Sequence, residues 1–346
     1  MAYQNVGTPR FWVDWNSYNK AMGVITGSET FRATNDGNDN YSSTYNLNPT
    51  NQRHLSPASV DSTSWGHLSL YDNGWILDPE EINWIGLLGH NLGNSGTGFG
   101  ATLGGDFDGV ADDMEFPYFT NYNPIVNGGT PDTTSSKLYP ELDGFTIAEI
   151  GGFSSAIGSA AVRKLHLEFA NDAPTTSMVQ RFGAYCLGKY YDMPHSPDLS
   201  LKLSYEMDGV KNIQTKGGAT LSNASYTKPA DWGSGGAWQL GDNQNYRSGR
   251  RVWDLSFSYL SDTDVMPENA GTALIDGIDS NVLNGTDFFS QVWNKTMGHL
   301  PFIFQPNKDN ANPDGFAIAR FDMNSLQLTQ VGINLYNCSL KIRESW

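Results

Sequence analysis

Between Tyr336 and Ile342 apolar and polar residues alternate without a break. Tyr336, Cys338, Leu340 and Ile342 face one way; Asn337, Ser339, Lys341 and Arg343 face the other. A period of two marks a half-buried antiparallel strand, because successive side chains leave opposite faces of the pleat. Such a strand needs partners, and the preceding residues supply them. Phe302-Ile303-Phe304 is a buried-type run, and Phe316 to Phe321 reads as a further strand. Asp287 to Gly298 reads as a helix. Phe289, Val292, Trp293 and Thr296 recur at steps of three and four, which makes Trp293 a core residue. Thr286 or Asp287 can cap its start, and Gly298 suits its stop. Gln305 to Asp314, rich in Asn, Asp and Pro, reads as an exposed loop.

Composition extends this reading to the whole chain. Only 17% of residues are charged, while 37 Gly, 16 Pro and 12% aromatics are present. Aromatics among turn-formers fit an all-β protein with many loops, here with one prominent helix, and disfavour a helical bundle. A length of 346 residues suggests two domains. The net charge of −16 argues against a nucleic-acid partner, since displacing counterions from a duplex needs a basic surface. Cys186 and Cys338 form no metal-ligand spacing, and reduced thiols are the simple reading, with one disulfide as the alternative. Met1 to Lys20 lacks the basic start and apolar core of a signal peptide. No apolar run approaches the roughly twenty residues that span a bilayer. Synthesis in the cytoplasm without membrane insertion is therefore expected.

Earlier in the chain the signals are more scattered. Pro9 to Trp15 reads as a strand or extended arm, with Phe11, Val13 and Trp15 alternating against Trp12 and Asp14. Residues 26–62 are Asn-, Ser-, Thr- and Asp-rich and read as a long loop with short strands. An aromatic block follows at Trp65, Leu68, Leu70, Tyr71 and Trp75. Trp84 to Leu88 is a continuous apolar strand that leaves through a turn at Gly89 to Leu92, and Val162 to Phe169 is a later strand. Polar residues around Pro174 suggest a boundary. Arg181 to Tyr191 reads as a connecting strand, and Leu199 to Leu203 alternates. Lys211 to Gly249 reads as a long loop or β-arm. The domains expected are 1–190, a β-sandwich with an N-terminal arm and a core at about 60–172, and 191–346 with the long loop 211–249.

Two stretches resemble known families. Arg250 to Asp262, the helix ending in Gly298, Pro301 to Pro306 and the closing Lys341-Ile342-Arg343-Glu344 resemble the tail-tube-like domain of distal tail and minor tail proteins of tailed bacteriophages. The likeness covers roughly residues 195–346 and lies in the order of elements. Glu81 to Leu92, with its Gly89-His90-Asn91-Leu92 exit, resembles a strand and turn of discoidin-like, galactose-binding-type β-sandwiches, over about residues 60–172. No binding-loop motif of that second family can be placed, so sugar binding is not carried over. The resemblances imply a galactose-binding-like first domain and a tail-tube-like second domain.

The candidate chemistry is sparse. Ser154 and Ser155 are not in a G-x-S-x-G elbow, and His90, leaving a buried strand, reads as a structural histidine bonded to a turn carbonyl. Gly93, Gly96, Gly98 and Gly100 lack a basic companion and read as a flexible loop rather than a phosphate cradle. Acidic residues are plentiful, but none is singled out as one of a glycosidase pair. No enzyme is expected. Asp106, Asp108, Asp112 and Glu115 fall at EF-hand-like spacing around Gly109, but Gly104 stands where the first ligand belongs. An acidic surface turn is the favoured reading of this cluster, and a weak calcium site is the alternative. No other cofactor is expected. Tyr118 to Tyr122 and Tyr226 to Trp238 are candidate contact surfaces, or pack back onto their own sheets.

These readings lead to one expectation. The chain is a structural virion protein, a distal or minor tail component made in the host cytoplasm. Its partners are copies of itself in a ring and other tail or baseplate proteins, with a host surface glycan as a further candidate. The alternatives are a carbohydrate-binding module of a secreted or surface protein and a tail-associated polysaccharide hydrolase.

Overall fold

A computed structural model of the chain describes residues 6–22, 29–35, 38–45, 54–60, 65–71, 82–90, 92–93, 97–104, 119–129, 138–153, 164–171, 178–182, 184–206, 211–223, 250–267 and 285–345. The fold is all-β, dominated by strands in several sheets. It divides into two compact units, one of residues 12–191 and 232–234, the other of residues 1–11, 192–231 and 235–346.

The described chain opens with β1 (Arg10–Trp12) and α1 (Trp15–Ala21). The expected alternation at Pro9 to Trp15 does not survive. Phe11, Trp12, Val13, Asp14 and Trp15 are all buried, so no side faces water as an arm would. Asp14 ends the extended run because its carboxylate caps α1. Oδ1 accepts from Asn16 N–H and Oδ2 from Ser17 N–H, both at 3.2 Å.

In the first unit, β2 (Glu29–Asn35), β3 (Asn38–Tyr45), β4 (His54–Val60) and β5 (Trp65–Tyr71) are followed by β6 (Trp84–His90) and β7 (Thr97–Gly104). Then come β8 (Phe119–Val126), β9 (Gly144–Phe153), β10 (Lys164–Asn171), β11 (Met178–Phe182) and β12 (Ala184–Gly188). One sheet has the order β3-β2-β5-β10-β7, a second β12-β6-β9-β8, and β4 pairs with β11. This arrangement is compatible with a β-sandwich-like architecture. Residues 26–62, expected as a long loop with short strands, do hold strands, but three of them run to seven or eight residues. Their polar composition hides the period of two; β2 pairs with distant β5 (Phe31 opposite Leu68), β3 with β2, and β4 with β11. The expected strand at Trp84 to Leu88 is β6, buried throughout that run.

The second unit is built on an eight-stranded sheet. The next strands in the chain are β13 (Tyr190–Asp192), β14 (Lys202–Glu206), β15 (Lys211–Gln214), β16 (Thr220–Asn223) and β17 (Arg250–Ser261). After α2 (Asp262–Val265) come β18 (Phe302–Gln305), β19 (Ala317–Phe321), β20 (Leu328–Gly332) and β21 (Leu335–Glu344). The sheet order is β13-β1-β18-β19-β21-β17-β14, with β20 also paired to β21, while β15 and β16 form a separate hairpin. The expected alternation holds in β21, where Cys338, Leu340 and Ile342 are buried. Rings pack edge-to-face and tilted over this sheet, with Phe11 5.3 Å from Phe304 and Trp253 5.1 Å from Phe304. The alternating strand expected at Leu199 begins later, at Lys202. Leu199 itself sits fully exposed in a turn beside Asp198, whose N–H donates to the Ser256 carbonyl at 2.7 Å.

The expected helix exists, but its phase differs. Asp287 caps it, with Oδ1 accepting from Ser290 N–H at 2.9 Å. Phe289–Trp293 then forms a π turn, in which Asn294 N–H bonds the Phe289 carbonyl, before α3 (Asn294–Thr296). A π turn adds a residue to the helical repeat and rotates the following side chains. Val292 and Thr296 are buried as expected and Phe288 joins them, while Phe289 and Trp293, expected on the same face, are half-buried, Trp293 with its ring 5.1 Å from that of Phe321. Met297 and Gly298 end the helix in left-handed conformations, φ 51° and 67°.

Candidate functional site

His90 ends β6 and is held from both ring nitrogens. Leu92 N–H donates to Nδ1 at 3.3 Å, so Nε2 carries the proton and donates to Thr146 Oγ1 at 2.9 Å. The Thr146 hydroxyl in turn donates to the Asn127 carbonyl at 3.0 Å. Burial pushes the His90 pKa down to about 3. This neutral, saturated imidazole fastens β6 to β9 and the turn at Leu92. It is structural as expected, although its turn partner is an N–H rather than a carbonyl.

Asp14 is a second buried ionisable group of this unit. Burial raises its pKa to about 6 against the opposing hydrogen bonds from Ser17, Leu187 and Asn16. The Leu187 N–H reaches Oδ1 at 3.3 Å, tying α1 to β12. Next to it, the Cys186 thiol is pushed far up by burial and by the Asp14 charge. Cys338 is pushed up to about 12 by burial. Both cysteines are unpaired and buried, so they are packing residues rather than nucleophiles.

The remaining expected sites divide between corrections and positions outside the described residues. Gly98 and Gly100 lie in β7, not in a flexible loop. A Cβ at Gly98 would stand 2.8 Å from the Tyr139 ring, so close packing explains that glycine. Tyr122 is buried in β8 and packs back onto its own unit. Gln305 is buried rather than exposed. Its amide donates to the carbonyls of Lys308 and Asn310, both at 3.1 Å, and shapes the loop behind it. Asp106, Asp108, Asp112 and Glu115 lie outside the described residues, as do Ser154, Ser155, Gly96 and Tyr226 to Trp238. Among the described residues no three His, Cys, Asp or Glu side chains group to hold a metal, and no helix is long and apolar enough to cross a membrane.

What the second unit offers is surface. The terminal strand β14 pairs only with β17 among the described residues, and Lys202, Ser204 and Tyr205 are exposed. Beyond it, the β15–β16 hairpin is exposed at Lys211 to Gln214 and again at Lys216 to Ser222. Ile213 and Leu221 oppose each other across its ladder. The sequence left Lys211 to Gly249 open between a long loop and a β-arm; 224–249 lie outside the described residues, and 211–223 form the hairpin. Its apolar pair was not singled out, although the alternation of Ile213 with polar neighbours marks it. No known protein family, curated protein or solved structure matches this chain.

Proposed function

We propose that this chain is a structural, self-assembling component of a bacteriophage tail, of the distal or minor tail type, and not an enzyme. The observation that carries the reading is the β15–β16 hairpin. An isolated two-stranded ladder is marginal in water, so an ordered, solvent-exposed one suits an arm that docks on another surface. The order of elements from Arg250 onward supports the tail assignment. A long strand, a helix, the Phe-rich β18, a loop, β19 and a closing strand come in the order of the tail-tube-like pattern, with α2 and β20 in addition. On this reading the second unit joins copies of the chain, the first meets other tail or baseplate proteins or a host surface glycan, and the protein resides in the virion.

Mass in solution and copy number in particles test the proposal. Assembly of the purified full chain, with a fixed copy number in tails, is the expected result. A monomer that binds glycan would replace this reading with a carbohydrate-binding module, and release of reducing ends would replace it with a hydrolase.

A further inference from the structure

The second unit carries two exposed patches of opposite charge. The first is the hairpin. Ile213 and Leu221 are 61% and 60% exposed, and Lys211 and Lys216 are the only ionisable side chains between Lys211 and Asn223. On a chain of net charge −16 this is a local basic island.

The second patch lies where β17, β20 and β21 turn. Ile333, 90% exposed, sits in the turn between β20 and β21 beside Val331, and Tyr259 is 70% exposed at a bulge of β17. Tyr259 is held there at φ 60°, with its N–H donating to Asn337 Oδ1 at 3.1 Å. Next to them α2 is anchored by Asp262 N–H to the Asn334 carbonyl at 3.0 Å. It brings Asp262, Asp264 and the exposed Met266, and no Lys or Arg occurs in 259–267 or 328–337.

The ladder gives the geometry. Glu206, where β14 ends before β15 begins after residues 207–210, pairs opposite Arg250 at the start of β17, whereas the acidic tip lies at the far end of β17 beyond Ser261. Twelve residues of strand separate the end of β14 from that tip, roughly 35–40 Å at strand rise. Two different, complementary patches join copies head to tail, the arrangement that closes into rings or continues as a stack.

We propose that the β15–β16 hairpin of one copy docks on the Tyr259–Ile333–α2 tip of a second copy, with Ile213 and Leu221 against Tyr259 and Ile333, and with Lys211 and Lys216 facing Asp262 and Asp264. This contact rests on the self-assembly reading and specifies its chemistry.

Two full-length variants, Ile213→Cys and Ile333→Cys, are prepared with different tags, mixed and oxidised. The native thiols are buried and unpaired, so the introduced ones report. Cross-linking between the two tags in the mixture, and not in either variant alone, is the expected result. In parallel, Lys211→Glu with Lys216→Glu weakens self-association about tenfold, and Asp262→Lys in the partner restores it. All of these positions are exposed, and unchanged melting confirms that the variants fold. A wild-type chain that assembles but neither cross-links in this pattern nor responds to charge reversal overturns the contact and leaves the structural reading standing. A wild-type chain that stays monomeric at high concentration overturns both.

Discussion

Arg251 and Glu344 form a buried ion pair, with side chains only 3% and 4% exposed, between the start of β17 and the end of β21. The guanidinium Nη2 donates to Oε1 at 2.8 Å and Nε donates to Oε2 at 3.1 Å, while the Arg251 backbone N–H adds a third bond to Oε2 at 3.0 Å. Nη2 also donates to the Phe316 carbonyl at 2.7 Å, which brings the chain just before β19 into the same knot. A bidentate pair with its spare donor satisfied holds three segments in register.

Breaking that knot from one side leaves a buried cation. Glu344→Gln should cost about 3–5 kcal/mol, because the loss of one partner exposes the desolvation penalty of the other. Replacing both, Arg251→Met with Glu344→Leu, should recover much of the loss. Chemical denaturation of the single and double variants measures this. A double variant no more stable than the single one would mean that the pair is not the source of the effect.

Asp14 makes part of the stability depend on pH. Its folded pKa of about 6 lies above the usual 3.8, so the folded state holds the proton more tightly. The stabilisation is therefore complete below about pH 4 and is lost as pH rises through about 6, an effect of about 3 kcal/mol. In His90→Gln, where the opposing slope of His90 is removed, unfolding free energy should increase on acidification from pH 6 to pH 4. A decrease over that range would refute the assignment to Asp14.

His90 acts in the other direction. Its folded pKa of about 3 lies below the usual 6.5, so the unfolded chain binds the proton more tightly. This stability is complete above about pH 6.5 and is lost as pH falls toward 3, an effect of about 5 kcal/mol. In Asp14→Asn the stability should fall steadily on acidification from pH 6.5. In the wild type the two slopes oppose each other between about pH 4 and 6. Denaturation curves across that range in both variants separate them.

The helix before β18 ranks its own residues. Phe288 is fully buried, so Phe288→Ala should cost about 3–5 kcal/mol. Trp293 is only half-buried against Phe321, and Trp293→Ala should cost less, about 2 kcal/mol, in spite of its larger ring. The reverse order in denaturant midpoints would restore the uninterrupted α-helical phase.

What the sequence alone determined are the elements whose signal is local. The alternation of Cys338, Leu340 and Ile342 specified β21, the apolar run at Trp84 specified β6, and Thr286 and Asp287 marked the helix start to within a residue, because each rests on neighbours within a few residues. The candidate site was less legible. The hairpin could be read as an arm, but the exposure of Ile213 and Leu221 depends on what the remainder of the chain leaves uncovered. Tertiary structure decided every feature whose partner is remote. Glu344 continues the buried face of β21 only because Arg251, 93 residues earlier, neutralises it. Asp14 turns from a strand position into a helix cap bonded to Leu187, 173 residues away. The polar strands β2 and β3 carry no apolar period of their own, and the ladder to β5 orders β2 and, through it, β3. In each case a group costly to bury, or a strand weak by itself, is stabilised by hydrogen bonds that only the folded chain brings within reach.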